Sequence, residues 1–262
     1  MENSRTVRPF RLRVTWAILL MGAPVFGQVA PVIPDTPISP PRQFYRGRRI
    51  AQTMHFTGAE WLIRNTRERE ERCTQMIENL GVEPGMTVCD MGCGNGFYSL
   101  WLAKLVGPTG RVLSVDIQRE MLRLLQSRAA EQNIANIKSI LGSVADPNLP
   151  VGEVDLILCV DVYHEFSHPE RMLSAMRRSL SPNGVVVLVE YRAEDKTVPI
   201  KPLHKMSKAQ ILKELPPNGL RLVKQYDELP WQHMMFFGRD ETWKRGERDG
   251  ETERKSQGPT EP

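Results

Sequence analysis

The stretch Val88-Cys89-Asp90-Met91-Gly92-Cys93-Gly94-Asn95-Gly96-Phe97 decides the fold of this chain. The residues from Met86 to Asp90 read as a buried strand. Phe97, Leu100, Trp101 and Leu102 then open a helix at helical spacing. Between strand and helix, three glycines alternate behind an acid in the pattern D-x-G-x-G-x-G. Glycine lets the backbone turn sharply and lets a ligand approach the main chain, because no Cβ stands in the way. The turn leads into a helix N-terminus, whose unpaired N–H groups face whatever is bound.

Two ligand classes use such a turn. A dinucleotide site takes G-x-G-x-x-G, with the pyrophosphate on the helix N-terminus. Here Gly94-Asn95-Gly96 runs into Phe97-Tyr98-Ser99, so the third glycine of that pattern is missing. Asp90 is also an odd neighbour for a pyrophosphate; it suits a ligand with a cationic amino-acid end and a ribose. Further along, Arg111-Val112-Leu113-Ser114-Val115-Asp116 is a second buried strand ending in an acid, 20 residues beyond Gly96. At that distance a carboxylate accepts both hydroxyls of an adenosine ribose, a geometry that nicotinamide enzymes share.

The glycine turn resembles motif I of the class I S-adenosylmethionine-dependent methyltransferases, of the small-molecule ubiquinone/menaquinone type. With gaps, the resemblance runs from about Thr53 to Arg239. It implies one doubly wound α/β domain with a mostly parallel seven-stranded sheet in the order 3-2-1-4-5-7-6, and S-adenosylmethionine as cofactor. Asp90, Gly92, Gly94 and Gly96 are then expected at the amino-acid end of the cofactor. Asp116 takes the ribose, Ile117 and the Gly142-Ser143 loop the adenine, and Asp161 the methionine side. The family usually places aspartate after the glycine of that loop, where this chain has Ser143, so either Ser143 or Asp146 meets the adenine amino group. The segment before motif I, with Met54, His55, Phe56 and Trp61, either closes over the cofactor or is ordinary packing.

The rest of the chain keeps the α/β alternation. A helix is expected from Gly58 to Leu80, with Gly81 as its C-cap, and its run Arg67-Glu68-Arg69-Glu70-Glu71-Arg72 reads as a solvated face of local ion pairs. Arg119 to Gln132 is an amphipathic helix, and Ile137 to Leu141 and Val154 to Val160 are further strands. A fifth strand spans Val185 to Glu190, and Leu220 to Tyr226 and Trp231 to Gly238 close the domain as an antiparallel pair. The fourth strand delivers Asp161-Val162-Tyr163-His164-Glu165-Phe166 to the carboxyl edge of the sheet, where open α/β folds bind their ligands. Ser167 and Glu170 are expected to form a capping box around Pro169.

His164-Glu165-Phe166-Ser167-His168 matches the peptidase motif H-E-x-x-H letter for letter. Pro169 argues against the single helix this motif needs, because its ring clashes with the carbonyl of Glu165 and disfavours helix at His168. No metal is therefore expected. The resemblance instead makes His164 the substrate-side catalytic residue and general base, with Tyr163, Glu190, Tyr191 and His204 as further candidates; His168 reads as helix start. Cys73, Cys89, Cys93 and Cys159 show no zinc spacing; Cys89 and Cys159, on neighbouring strands, read as buried thiols rather than a bridge, and Cys93 lies in the glycine turn.

Composition bounds the remaining classes. The chain has 262 residues, 40% hydrophobic and 25% charged, enough for one sizeable domain with extensions. A net charge of +4, scattered among glutamates, gives no basis for nucleic-acid binding. Residues 1–27 read as an export signal, with a basic start and an apolar run over 14–26. An uncleaved anchor is the alternative, and the only membrane contact expected is through this segment. Residues 28–52 read as a proline-rich and basic linker, 53–240 as the cofactor-binding domain, and 241–262 as a disordered charged tail. The expected reaction is methyl transfer to a small-molecule acceptor. A nicotinamide oxidoreductase and a non-catalytic nucleotide-binding domain of the same fold are the rival readings.

Overall fold

The computed structural model describes residues 38–243; the proposed export signal and residues 244–262 of the tail lie outside the described residues. The described chain opens on a hairpin, β1 (Phe44–Tyr45) and β2 (Arg48–Arg49). Its turn residues Arg46 and Gly47 both have positive φ, as a tight hairpin turn demands. This segment belongs to the domain rather than to a linker. Tyr45, Ile50 and Ala51 are buried, Arg42 pairs with Glu170 at 2.6 Å and Arg48 with Glu214 at 2.8 Å.

The single helix expected from Gly58 to Leu80 is three pieces. A 3-10 segment spans Phe56–Ile63, followed by α1 (Arg67–Glu71) and α2 (Cys73–Glu78). Arg72 sits between α1 and α2 at φ 49 and ψ 56, a left-handed conformation that no α-helix carries through. The break accompanies burial of Arg67 and Glu71, so the alternating charges are not a solvated face.

The core is a parallel sheet built on β3 (Thr87–Met91), with α3 (Phe97–Val106), β4 (Arg111–Asp116), α4 (Arg119–Glu131) and β5 (Ile137–Leu141) winding one way. The chain then crosses to β6 (Val154–Val160), α5 (Pro169–Ser179) and β7 (Leu180–Arg192) on the other side of β3. Next come the short β8 (Lys205–Met206), α6 (Lys208–Glu214), β9 (Leu220–Tyr226) and β10 (Gln232–Arg239). The order is β5-β4-β3-β6-β7-β10-β9, with β10 antiparallel to both β7 and β9. Numbered along those seven strands, that is the 3-2-1-4-5-7-6 order the resemblance implies. β8, which has no sequence signal, pairs in parallel with the end of β7 at Tyr191 and Arg192.

Strand alternation divides the apolar residues between the two faces. Cys89, Leu113, Ile157, Cys159 and Leu188 pack into one buried cluster, and Val88, Val112, Leu156, Leu158 and Val187 into the other. With both faces covered, β6 and β7 are nearly continuous apolar runs, which is why their sequence reads so plainly. All four cysteines are free and buried. The capping box at α5 is not formed. His168 is the N-cap residue, the Ser167 hydroxyl lies 3.0 Å from His168 Nδ1, and Glu170 is engaged by Arg42. Pro169 does occupy the first turn, where its missing N–H costs nothing.

Candidate active site

Strand order reverses between β4 and β6 on either side of β3, and a cleft of about 1050 Å³ opens at that switch point. Its floor is the glycine turn. Gly92, Gly94 and Gly96 have φ of 67°, 52° and 81°. A Cβ on Gly92 would lie 2.3 Å from Val162 Cγ2, and one on Gly94 2.5 Å from Leu62 Cδ1. Both backbone shape and space therefore require glycine. Gly92 and Gly94 line the cleft, whereas Gly96 caps α3 and packs against Leu125.

Asp90 does not line the cleft. It is buried beneath the turn and accepts a hydrogen bond from the Ser99 hydroxyl at 2.6 Å. Burial raises its pKa to about 6, with Asp116 adding to the effect. Asp116 does face the cleft. Its Oδ2 accepts from Gly94 N at 3.0 Å and its Oδ1 from Gln118 N at 2.8 Å, which fixes the carboxylate at the end of β4. Burial pushes its pKa up as well. Ile117 and Ser143 line the cleft, as does Val144 beside them. Gly142 forms the turn behind them, and Ser143 N donates to Asp146 O at 2.8 Å. Of the two residues left open for the adenine edge, only Ser143 is on the cleft wall.

Gln118 ties the pre-motif segment to this wall, donating through Nε2 to Met54 O and accepting from Phe56 N, both at 2.8 Å. Met54, Trp61 and Leu62 thereby line the cleft. Arg67, which the charge pattern hides, joins them as a buried cation. It donates to Glu71 Oε2 at 2.8 Å and to Leu62 O at 2.7 Å, and packs over the Phe97 and Tyr98 rings. Glu71 also accepts from Arg64 and from the Tyr191 hydroxyl. An Arg–Glu pair at i,i+4 spacing is common on solvated helices, so only the burial marks this one.

Asp161 is the other wall residue with a special backbone, at φ 52. Its Oδ2 accepts from Gln232 Nε2 at 2.7 Å, while its buried Oδ1 has no partner. Burial, with Glu71 and Glu190 nearby, drives its pKa well above the usual carboxylate range. A buried carboxyl oxygen left without a partner beside a cleft is a demand for a donor or for a proton of its own.

Just beyond Asp161 in the chain, the 3-10 turn Tyr163–Glu165 carries the predicted His164. Its Nδ1 lies 2.7 Å from Glu190 Oε2, and its Nε2 lies 3.0 Å from His204 Nδ1. Burial pulls the His164 pKa down, but Glu190 outweighs it and the pKa ends above the ordinary value. Glu190 also accepts from Tyr163 N at 3.0 Å. The Tyr163 hydroxyl points elsewhere, to Glu214 at 2.8 Å. Glu165, set aside with the peptidase motif, lines the cleft with a pKa lifted to about 7 by burial. His168 is apart from all of these, with its Nε2 2.7 Å from Ser39 O.

The family model for the methyltransferase domain matches residues 82–236, more than half of the chain. The chain belongs to the methyltransferase domain family. Among curated relatives, a ubiquinone/menaquinone biosynthesis C-methyltransferase of Cupriavidus taiwanensis is 32% identical over 56% of this chain and 58% of that protein. A nocamycin O-methyltransferase of Saccharothrix syringae is 30% identical over 44% of this chain and 41% of that one. The chain spans about a third to three fifths of the length of the first curated relatives it matches. A SAM-dependent methyltransferase from Aquifex aeolicus shares the fold, with a TM-score of 0.67 and 23% identity over 71% of this chain and 98% of that one.

S-adenosylmethionine is the cofactor that membership carries, and the residues of this methyltransferase domain fit it. Gly92 and Gly94 bring bare backbone to the cleft wall, with Val162 and Leu62 packed where a Cβ would stand. Asp161, with one oxygen unpartnered, and Asp116, fixed by backbone donors, are carboxyl groups that line the same cleft.

Proposed function

We propose that this protein transfers a methyl group from S-adenosylmethionine to a small-molecule acceptor. The observation that carries the reading is the lining of one cleft. An acid with an unsatisfied oxygen, a buried arginine, a backbone-fixed carboxylate beside the glycine turn and an imidazole cluster all line it.

When bound, S-adenosylmethionine supplies an activated sulfonium methyl for in-line displacement. The chain supplies alignment and a dry site. Asp161 and Arg67 hold the amino and carboxylate groups of the methionine end. Asp116 holds the ribose, and Ile117 and Ser143 flank the adenine. His164, oriented by Glu190 through Nδ1, directs Nε2 toward His204 and the acceptor half of the cleft. A histidine held this way removes a proton from an acceptor that arrives protonated. Calorimetric titration of S-adenosylmethionine into wild type and Asp116→Ala tests the reading: binding in the first and its collapse in the second are expected.

The N-terminal segment supports a second proposal, export of the chain with cleavage before Gln28. Its basis is the basic start followed by an apolar run too short to span a bilayer comfortably. Among the described residues no helix is long and apolar enough to cross a membrane. Mass spectrometry of the mature N-terminus is expected to find Gln28, and an intact Met1 would contradict it.

A further inference from the structure

The imidazole cluster has a geometry that neither cofactor binding nor proton removal requires. Three potential ligand atoms converge on the acceptor half of the cleft: His164 Nε2, His204 Nδ1 and a Glu165 carboxylate oxygen. The two imidazole nitrogens are 3.0 Å apart, Glu165 Oε1 is 4.0 Å from His164 Nε2, and all three atoms lie within 4.8 Å of one another. Donors that sit about 2.0–2.2 Å from one small divalent ion stand roughly 3–3.5 Å apart, so the histidine pair is already at ligand spacing and Glu165 is a small rotation away.

The surroundings match as well. A metal-bound histidine ordinarily gives its other ring N–H to a carboxylate, which fixes the tautomer and points the free lone pair at the ion. Glu190, fully buried and 2.7 Å from His164 Nδ1, stands in that relation to His164. Glu190 is itself held by Tyr163 N, so the arrangement is rigid on the sheet side. His204 arrives from the 3-10 turn Pro202–His204, 40 residues away in sequence, and is half-buried.

We infer that His164, Glu165 and His204 form a binding site for a divalent transition-metal ion of the zinc, cobalt or iron(II) type. Two histidines and one carboxylate are a ligand set that such ions use with positions left open. Because all three residues line the cleft, the open positions face the acceptor, where an oxygen or nitrogen donor would complete the coordination. The site is not the H-E-x-x-H peptidase arrangement, since His168 is turned away to Ser39 and His204 takes its place. A metal-bound His164 Nε2 is not free to take a proton, so the inference replaces the general-base role and leaves the cofactor reading as it stands; metal binding has its own readout.

The test is to strip the purified full chain with a chelator and titrate it with Co²⁺, following visible ligand-field absorption. S-adenosylmethionine titration of the same stripped samples reports separately on the cofactor reading. Wild type is expected to bind a stoichiometric amount of Co²⁺ that Zn²⁺ displaces. His204→Ala and Glu165→Gln, both at partly exposed positions, should weaken Co²⁺ binding beyond the roughly 10–100-fold that losing an outer partner costs, and Glu190→Gln should fall within that range. His168→Ala should bind as wild type does. Absence of saturable Co²⁺ binding in wild type, unchanged binding in His204→Ala, or loss of binding in His168→Ala would each overturn the inference.

Discussion

Asp90 shows how one residue can serve a cleft without facing it. Its carboxyl is 3% exposed, accepts a short bond from Ser99, and has its pKa raised from 3.8 to about 6, chiefly by burial. The sign of the resulting pH dependence follows directly. Between those two values the folded chain binds the proton more tightly than the unfolded chain does. The stability Asp90 contributes is therefore fully present below about pH 3.8 and is lost as pH rises through about 6. At about 1.4 kcal/mol per pKa unit, the loss is on the order of 3 kcal/mol. Asparagine keeps an acceptor for Ser99 and does not titrate. Denaturant unfolding at intervals from pH 4 to 7 should show Asp90→Asn gaining on wild type by about that amount as pH rises. A constant difference across the range would refute the assignment. The motif made Asp90 legible as a residue of the site, but not its position beneath the turn. A sequence gives spacing, and the depth of a side chain below a turn depends on the neighbouring strands.

At the scale of elements, legibility followed burial pattern. β3, β4 and β6 are mostly apolar because both faces of the sheet are covered, and each could be read within a residue; β7 begins at Leu180, five residues before the expected Val185, because Ser181-Pro182-Asn183-Gly184 reads as a turn. The segment from Arg67 to Glu71 misled for the opposite reason. Its charges alternate as on a solvated helix, yet Glu71 is fully buried among Arg64, Arg67 and Tyr191. The hairpin at Phe44–Arg49 was also hidden, because two-residue strands carry no period. Removing one member of a buried charge network strands its partners, which costs about 3–5 kcal/mol. Glu71→Ala should lose about that much stability in urea unfolding and should weaken cofactor binding through a displaced Arg67. A loss below about 1 kcal/mol would mean that the network is as weak as a surface pair. The His164–His204 contact was beyond reach for a related reason. Both residues could be singled out, but His204 is held beside β7 by a 3-10 turn and the two-residue β8, neither of which leaves a sequence signal.

For the molecule as a whole, the topology places its chemistry. Reversal of strand order about β3 opens one crevice, and the pre-motif segment, the glycine turn, the ends of β4 and β6 and the β7–β8 loop all contribute to its wall. Several acids along it, Asp116, Asp161 and Glu165, have pKa values raised by burial, and Asp90 beneath it shares the effect. Such a cleft favours a ligand that brings positive charge, as a sulfonium with an ammonium group does. The most direct measurement is calorimetric titration of S-adenosylmethionine into wild type and Asp116→Ala at neutral pH. Stoichiometric binding to wild type is expected, weakened in Asp116→Ala by 10-fold or more, about 1.4 kcal/mol at the least. Equal binding by the two proteins, or none by wild type, would contradict this expectation.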